Sequence, residues 1–203
     1  MTVSHELLLV RADQVAPELW RNGGGRTREL LAWPAGPDWR LRVSLADIEA
    51  DGPFSSFVGV QRWFAVIAGA GVELRFADAM HRLAPDSPAL HFDGAAAPYC
   101  ALLDGATRDL NLMARDGAAL LQPALAQTDW CDAFTQRGLF TLLPGELRCE
   151  RYGRVAIAPF TLAWELGPGA CSFVPDGHAA ATRCGWWLGW SAQGSAAPLA
   201  VHS

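Results

Sequence analysis

Apolar residues recur at every second position along much of this chain. In Trp39-Arg40-Leu41-Arg42-Val43-Ser44-Leu45-Ala46, the residues Trp39, Leu41, Val43 and Leu45 share one face. Arg40, Arg42, Ser44 and Ala46 share the other, which is the two-residue period of a β-strand with one apolar side. Residues 62–68, rich in Trp, Phe, Val and Ile, predict a second strand. Gly69-Ala70-Gly71 turns it, and residues 72–76 return as an alternating partner, so the pair reads as a hairpin. Residues 1–10 look like a first strand, and residues 90–92 and 99–103 like further short ones. The style continues at residues 139–143, 146–149, 154–157, 161–166, 171–174 and 186–190, with Gly and Pro between them. Only residues 13–19 and 128–137 have a pattern that suits a short helix. This points to an all-β sandwich or barrel. A break at residues 116–127 divides the strands into two similar β-units, approximately 1–115 and 128–203, within one compact chain.

Composition narrows the picture. At 203 residues, 51% hydrophobic and 18% charged, the chain can bury a substantial core. No apolar run reaches the roughly 18 residues that span a bilayer. The N-terminal stretch has neither a basic n-region nor a small-residue cleavage site. A cytoplasmic protein without membrane contact is expected. All 16 basic residues are arginine, which excludes Schiff-base and P-loop lysine chemistry. A net charge of −5 without a basic cluster argues against direct nucleic-acid binding. The five cysteines form no CxxC pair and suit small core positions. The five histidines form no HxH or HExxH. No metal and no cofactor is expected.

Three segments concentrate polar chemistry. Trp20-Arg21-Asn22-Gly23-Gly24-Gly25-Arg26-Thr27-Arg28-Glu29-Leu30 sets three glycines among arginines, an amide and a hydroxyl. It suits either a charged flexible loop or a backbone lying against a small anion, with an arginine clamping a carboxylate. In Asp51-Gly52-Pro53-Phe54-Ser55-Ser56-Phe57-Val58-Gly59-Val60-Gln61-Arg62, a turn precedes two phenylalanines that bracket serines. That suits a loop with core aromatics or a pocket lip. In the third segment, residues 104–113, Asp109 and Asn111 lie two apart on a strand and so face the same side, opposite Leu110 and Leu112.

Together these segments resemble the HutD/Ves family, cupin-like β-proteins associated with histidine utilisation. The family's W-x-N-G-G-G-x-T-R-E stands intact from Trp20 to Glu29, and its D-G-P-F-S-x-F-x-G-x-x-R from Asp51 to Arg62. G-x-x-x-D-F-N-x-M is matched from Gly105 to Met113 with Leu110 in place of Phe, and Phe92-Asp93-Gly94 matches a short F-x-G element. Leu41 stands where Trp is usual, Gln61 where an Asp often precedes the Arg, and Ala95 where an acidic residue often follows. The matches cover about the first 115 residues. The resemblance implies a bicupin-like barrel without the metal-binding histidines of catalytic cupins. It also implies binding of a histidine-degradation intermediate (urocanate, formiminoglutamate or formylglutamate) that restrains pathway output. The Ves branch is linked instead to cold and stress response.

The leading expectation is therefore a regulatory protein that binds a small anionic metabolite and is not an enzyme. Its barrel mouth is lined by Asn22, Arg26, Thr27, Arg28, Ser44, Ser55, Arg62, Asp109 and Asn111, with Phe54, Phe57 and Trp20 as an apolar wall. Arg62 ranks first, because a charge abutting the apolar strand 63–68 needs a specific partner. The alternative is a metal-independent isomerase or hydrolase acting on a small carboxylic acid, with Glu29 or Asp109 as base. Against it, a carboxylate beside arginine tends toward a low pKa. A third reading makes Trp186, Trp187 and Trp190 an exposed aromatic patch and a homodimer contact.

Overall fold

Alternating segments with one apolar side are stable only when that side is covered, and here the strands assemble into antiparallel sheets. The computed structural model describes residues 6–177 and 180–192; residues 1–5 of the expected first strand, and His5, His178 and His202, lie outside the described residues. The chain divides into two units, Val15–Asp116 and Met1–Gln14 joined to Gly117–Ser203. The first strand, β1 (Leu8–Arg11), thus groups with the C-terminal half rather than with residues 15–116.

The unit of residues 15–116 holds β2 (Glu18–Leu19), β3 (Gly25–Trp33), β4 (Leu41–Ile48), β5 (Gly52–Pro53) and β6 (Gln61–Ala68). It continues with β7 (Val72–Arg75), β8 (Met80–Leu83), β9 (Leu90–Asp93), β10 (Tyr99–Leu102) and β11 (Thr107–Ala114). One sheet runs β2-β3-β4-β11-β6-β9 and a second β5-β10-β7-β8. Ile48, Phe64 and Val66 of the first sheet pack with Val72, Leu74, Leu83 and Cys100 of the second to form a core between them. The other face of the first sheet is buried as well: Leu41, Val43, Leu45, Leu110 and Leu112 are all at most 1% exposed.

The expected hairpin of residues 62–76 does not form. β6 pairs with β11 and β9, whereas β7 pairs with β10 and β8. Gly71 (φ +107°) carries the chain from one sheet into the other, and a Cβ there would sit 2.2 Å from the Leu83 carbonyl oxygen. Only glycine tolerates that conformation and that approach.

The second unit contains β1, β12 (Ala118–Leu125), β13 (Gln136–Thr141), β14 (Gly145–Cys149), β15 (Gly153–Ile157), β16 (Thr161–Trp164), β17 (Cys171–Pro175) and β18 (Arg183–Ser191). Its sheets run β1-β16-β13-β18-β12 and β15-β14-β17. Two expectations fail here. Residues 116–127 are mostly strand β12, whose Ala118 to Leu125 pair with β18, and not a break. No helix forms over residues 128–137: Trp130 bridges Cys171 in extended backbone and β13 begins at Gln136. Residues 13–19 likewise form only a 3-10 turn at Ala12–Gln14 followed by β2.

Trp186, Trp187 and Trp190 are at most 2% exposed, so the expected aromatic patch is not on the surface. Although adjacent residues on a strand face opposite ways, both Trp186 and Trp187 are covered. Trp187 stacks on Trp130 at 5.0 Å in the core between the two sheets of its unit, and the Arg183 guanidinium lies over Trp186. Cys100, Cys149, Cys171 and Cys184 are buried core residues, while Cys131 is exposed. No helix among the described residues is long and apolar enough to cross a membrane.

Candidate functional site

Antiparallel register aligns side chains across strands, because directly opposed residues project from the same face. Asp109 on β11 lies opposite Ala46 on β4 and Val66 on β6, Asn111 opposite Ser44 and Phe64, and Met113 opposite Arg42 and Arg62. On β3, Thr27 lies opposite Ala46 and Glu29 opposite Ser44. Residues 20–29, 42–48, 62–66 and 107–113 thus deliver one polar surface in the middle of the six-stranded sheet. The polar face of the alternating segment at residues 39–46 faces inward, toward this surface.

That surface lines a cavity of about 680 Å³ within the unit of residues 15–116. Its wall includes ten expected residues: Trp20, Asn22, Thr27, Ser44, Phe54, Ser55, Phe57, Arg62, Asp109 and Asn111. Trp20 is held by its indole N–H donating to Thr27 Oγ1 at 2.8 Å.

Arg26 and Arg28 are not part of the cavity. They alternate with Thr27 and so project from the opposite side of β3, where both pair with Asp47. Arg26 also binds Glu49, and Arg108 joins at Asp47 Oδ1 at 2.6 Å. Burial raises the Asp47 pKa, but hydrogen bonds and charge from Arg108 and Arg28 outweigh that and hold it below the usual carboxylate range. These arginines neutralise a structural carboxylate.

The glycine run has a structural role. Gly24 N donates to Asn22 Oδ1 at 3.0 Å, closing a local turn. At Gly25 a Cβ would lie 2.3 Å from the Asp47 carbonyl oxygen and 3.1 Å from the Trp20 ring. At Gly25 the backbone approaches β4 and Trp20 closely, whereas a Cβ at Gly23 would meet nothing within 4 Å.

Sequence reasoning missed Arg42, Leu19, Arg21, Ala46, Ile48, Pro53 and Met113, which also line the cavity. Arg42 was discoverable: it shares the strand face of Ser44, two residues away. Its Nε donates to Glu29 Oε2 at 2.7 Å, so this second cation is already paired. Gln61, where the family often carries an acid, is not in the cavity wall. Alternating with Arg62, it is exposed and its Oε1 meets His91 Nε2 at 2.9 Å.

Arg62 is 6% exposed. Its Nη2 donates to Asn111 Oδ1 at 2.8 Å, and its guanidinium lies 5.0, 5.7 and 5.3 Å from the ring centroids of Phe54, Phe57 and Phe92. Among the described residues no carboxylate pairs with it, and its Nε has no hydrogen-bond partner. Burial draws its pKa down to about 10, opposed by Asp109 and assisted by Arg42, so it remains a cation at neutral pH. Asp109, 1% exposed, accepts from Asn111 Nδ2 through Oδ1, while Oδ2 is unpartnered among the described residues. Burial pushes its pKa up to about 8, against the charge of Arg62 and the Asn111 hydrogen bond, with Asp47 adding to the rise. The expectation of a low pKa beside arginine is thus reversed, because desolvation outweighs attraction across the intervening amide. Among the described residues, no group of three or more His, Cys, Asp or Glu side chains could hold a metal ion.

The HutD family model matches residues 12–151. A Pseudomonas putida relative, described as an uncharacterized 21.2 kDa protein in the hutC 3′ region, is 39% identical over 112 residues, 53% of this chain and 58% of that protein. The protein Ves of Citrobacter koseri is 39% identical over 100 residues, 48% of this chain and 52% of that protein. The matched segment therefore spans little more than half of either relative. The solved structure of HutD from Pseudomonas fluorescens SBW25 superposes with a TM-score of 0.75 at 24% identity, covering 93% of this chain and 100% of that one. At that identity the likeness is one of fold, and the fold is all-β and cupin-like.

Proposed function

Since the chain belongs to the HutD family, we propose that it is a small-molecule-binding protein whose cavity takes a carboxylate-bearing intermediate of histidine breakdown and thereby modulates histidine utilisation. The intermediates in view are urocanate, formiminoglutamate and formylglutamate. The observation that carries this reading is Arg62, a buried cation without a carboxylate partner among the described residues, in the wall of the cavity. A buried unpaired charge is costly, and a ligand carboxylate would supply the counter-charge together with strong charge-assisted hydrogen bonds. The volume of about 680 Å³ falls within the range of roughly 300–1,000 Å³ usual for small-ligand sites. Phe54, Phe57 and Trp20 offer flat apolar faces to an imidazole or an aliphatic stem. The P. putida relative named for its place beside hutC supports the metabolic setting.

The test is calorimetry with the three intermediates. Saturable binding without turnover is expected, and Arg62→Ala should weaken it by about 1.5–3 kcal/mol, the size of a hydrogen bond to a charged group. No binding of any of the three would overturn the ligand class.

One observation favours a second reading, a metal-independent isomerase or hydrolase. Asp109, whose pKa of about 8 lies near neutrality, has the acidity of a general acid or base. That reading requires product formation, seen by NMR, that persists with a chelator present and is lost in Asp109→Asn.

A further inference from the structure

Asn111 determines how Arg62 and Asp109 are coupled. An arginine N–H can only donate, so the Asn111 atom that meets Arg62 Nη2 at 2.8 Å is the amide oxygen. The NH₂ end of the same amide is thereby turned to Asp109 Oδ1, which accepts from it. Any proton on Asp109 therefore resides on Oδ2, the oxygen without a hydrogen-bond partner among the described residues. A cation and a carboxyl, both buried in the wall of one cavity, are thus joined through a single amide and not by an ion pair.

We propose that Arg62 has two alternative counter-ions, the Asp109 carboxylate or the carboxylate of a bound ligand, so that the cavity takes up an anion together with one proton on Asp109. This rests on the carboxylate-binding reading above and adds its regulation by pH. Two carboxylates cannot share one dry guanidinium without mutual repulsion, so whichever is present disfavours the other. By linkage, a ligand that raises the proton affinity of Asp109 binds more weakly once that proton is gone.

The surroundings of Asp109 support the assignment. Arg62 of β6 acts on it through its charge, while Arg42 of β4, which acts on Arg62, is paired with Glu29 of β3. Asp47 acts on it from the far side of β4, neutralised by its own arginines. Cys100 on β10 has its thiol pushed up to about 12 by burial and by the charges of Asp109 and Asp51, so it stays neutral throughout. Asp109, raised to about 8, titrates between pH 7 and 9.

The experiment is calorimetry with N-formylglutamate, which has no group titrating in that window, at pH 7, 8 and 9 in buffers of differing ionisation heat. Binding at pH 8 is expected to take up a fraction of a proton. Affinity should fall about tenfold from pH 7 to pH 9, as a single ionisation near pH 8 requires. Asp109→Asn should take up no proton and give a flat profile. Equal affinity at pH 7 and 9 with no proton uptake by the unaltered protein overturns the inference while leaving the ligand class standing. So does an Asp109→Asn profile that still falls. Absence of binding at every pH overturns both.

Discussion

A guanidinium that loses its water needs acceptors or π-faces, and Arg62 has one amide oxygen and three phenylalanine rings. A fork held this way is not replaced by an ammonium, so Arg62→Lys should lose most of the affinity that Arg62→Ala loses, as titration calorimetry would measure. Asp109 makes a separate prediction about stability. In the unfolded chain its carboxyl ionises near pH 3.9, and in the folded protein near 8. Between those values the unfolded state has released a proton that the folded state retains. The contribution is therefore complete below about pH 4 and declines as pH rises toward about 8. Asp109→Asn removes the ionisation, so denaturant unfolding should find the variant more stable than its parent at pH 8 and similar at pH 4. The reverse order would mean that Asp109 is ionised and favourably paired in the fold.

Strand β3 shows what a single element decides. Its period of two sends Thr27 into the cavity and Arg26 and Arg28 to Asp47, although all three belong to one motif. Arg28→Ala is expected to change ligand affinity less than twofold. It should cost stability about 1 kcal/mol or less, since the pair is only partly shielded from water. Gly25 opens the same strand against the Asp47 carbonyl. Gly25→Ala inserts a methyl where no space exists and should cost about 1–3 kcal/mol by thermal unfolding. The motif thus mixes a cavity-facing hydroxyl, a packing glycine and structural arginines, and only the strand's orientation sorts them.

At the scale of the whole molecule, the two β-units fill their interiors differently. In the unit of residues 15–116 the space between sheets includes the cavity with its polar wall. In the other, Trp130 stacked on Trp187 occupies the core between sheets. Trp187→Ala should cost about 3–5 kcal/mol of stability. It removes no side chain from the cavity wall, so affinity at a temperature where the variant is folded should match that of the parent. A large loss of binding in a folded Trp187→Ala protein would contradict the assignment of the ligand to residues 15–116.

Alternation and turn residues in the chain were enough to establish an all-β architecture, and three ordered motifs with the strand at residues 39–46 were enough to name the family and ten of the cavity residues. These are local properties, set by a two-residue period and by glycine and proline at turns. Which strands pair was not local: residues 62–68 and 72–75 looked like a hairpin yet belong to different sheets, because pairing depends on which distant strand completes each ladder. Arg42 was legible locally, since it shares the strand face of Ser44, and its register with Met113 and Arg62 across β11 sets it in the wall. The acidity of Asp109 was decided last of all. Charge proximity, visible in composition, argued for a low value; burial, which exists only once the sheets close, raised it.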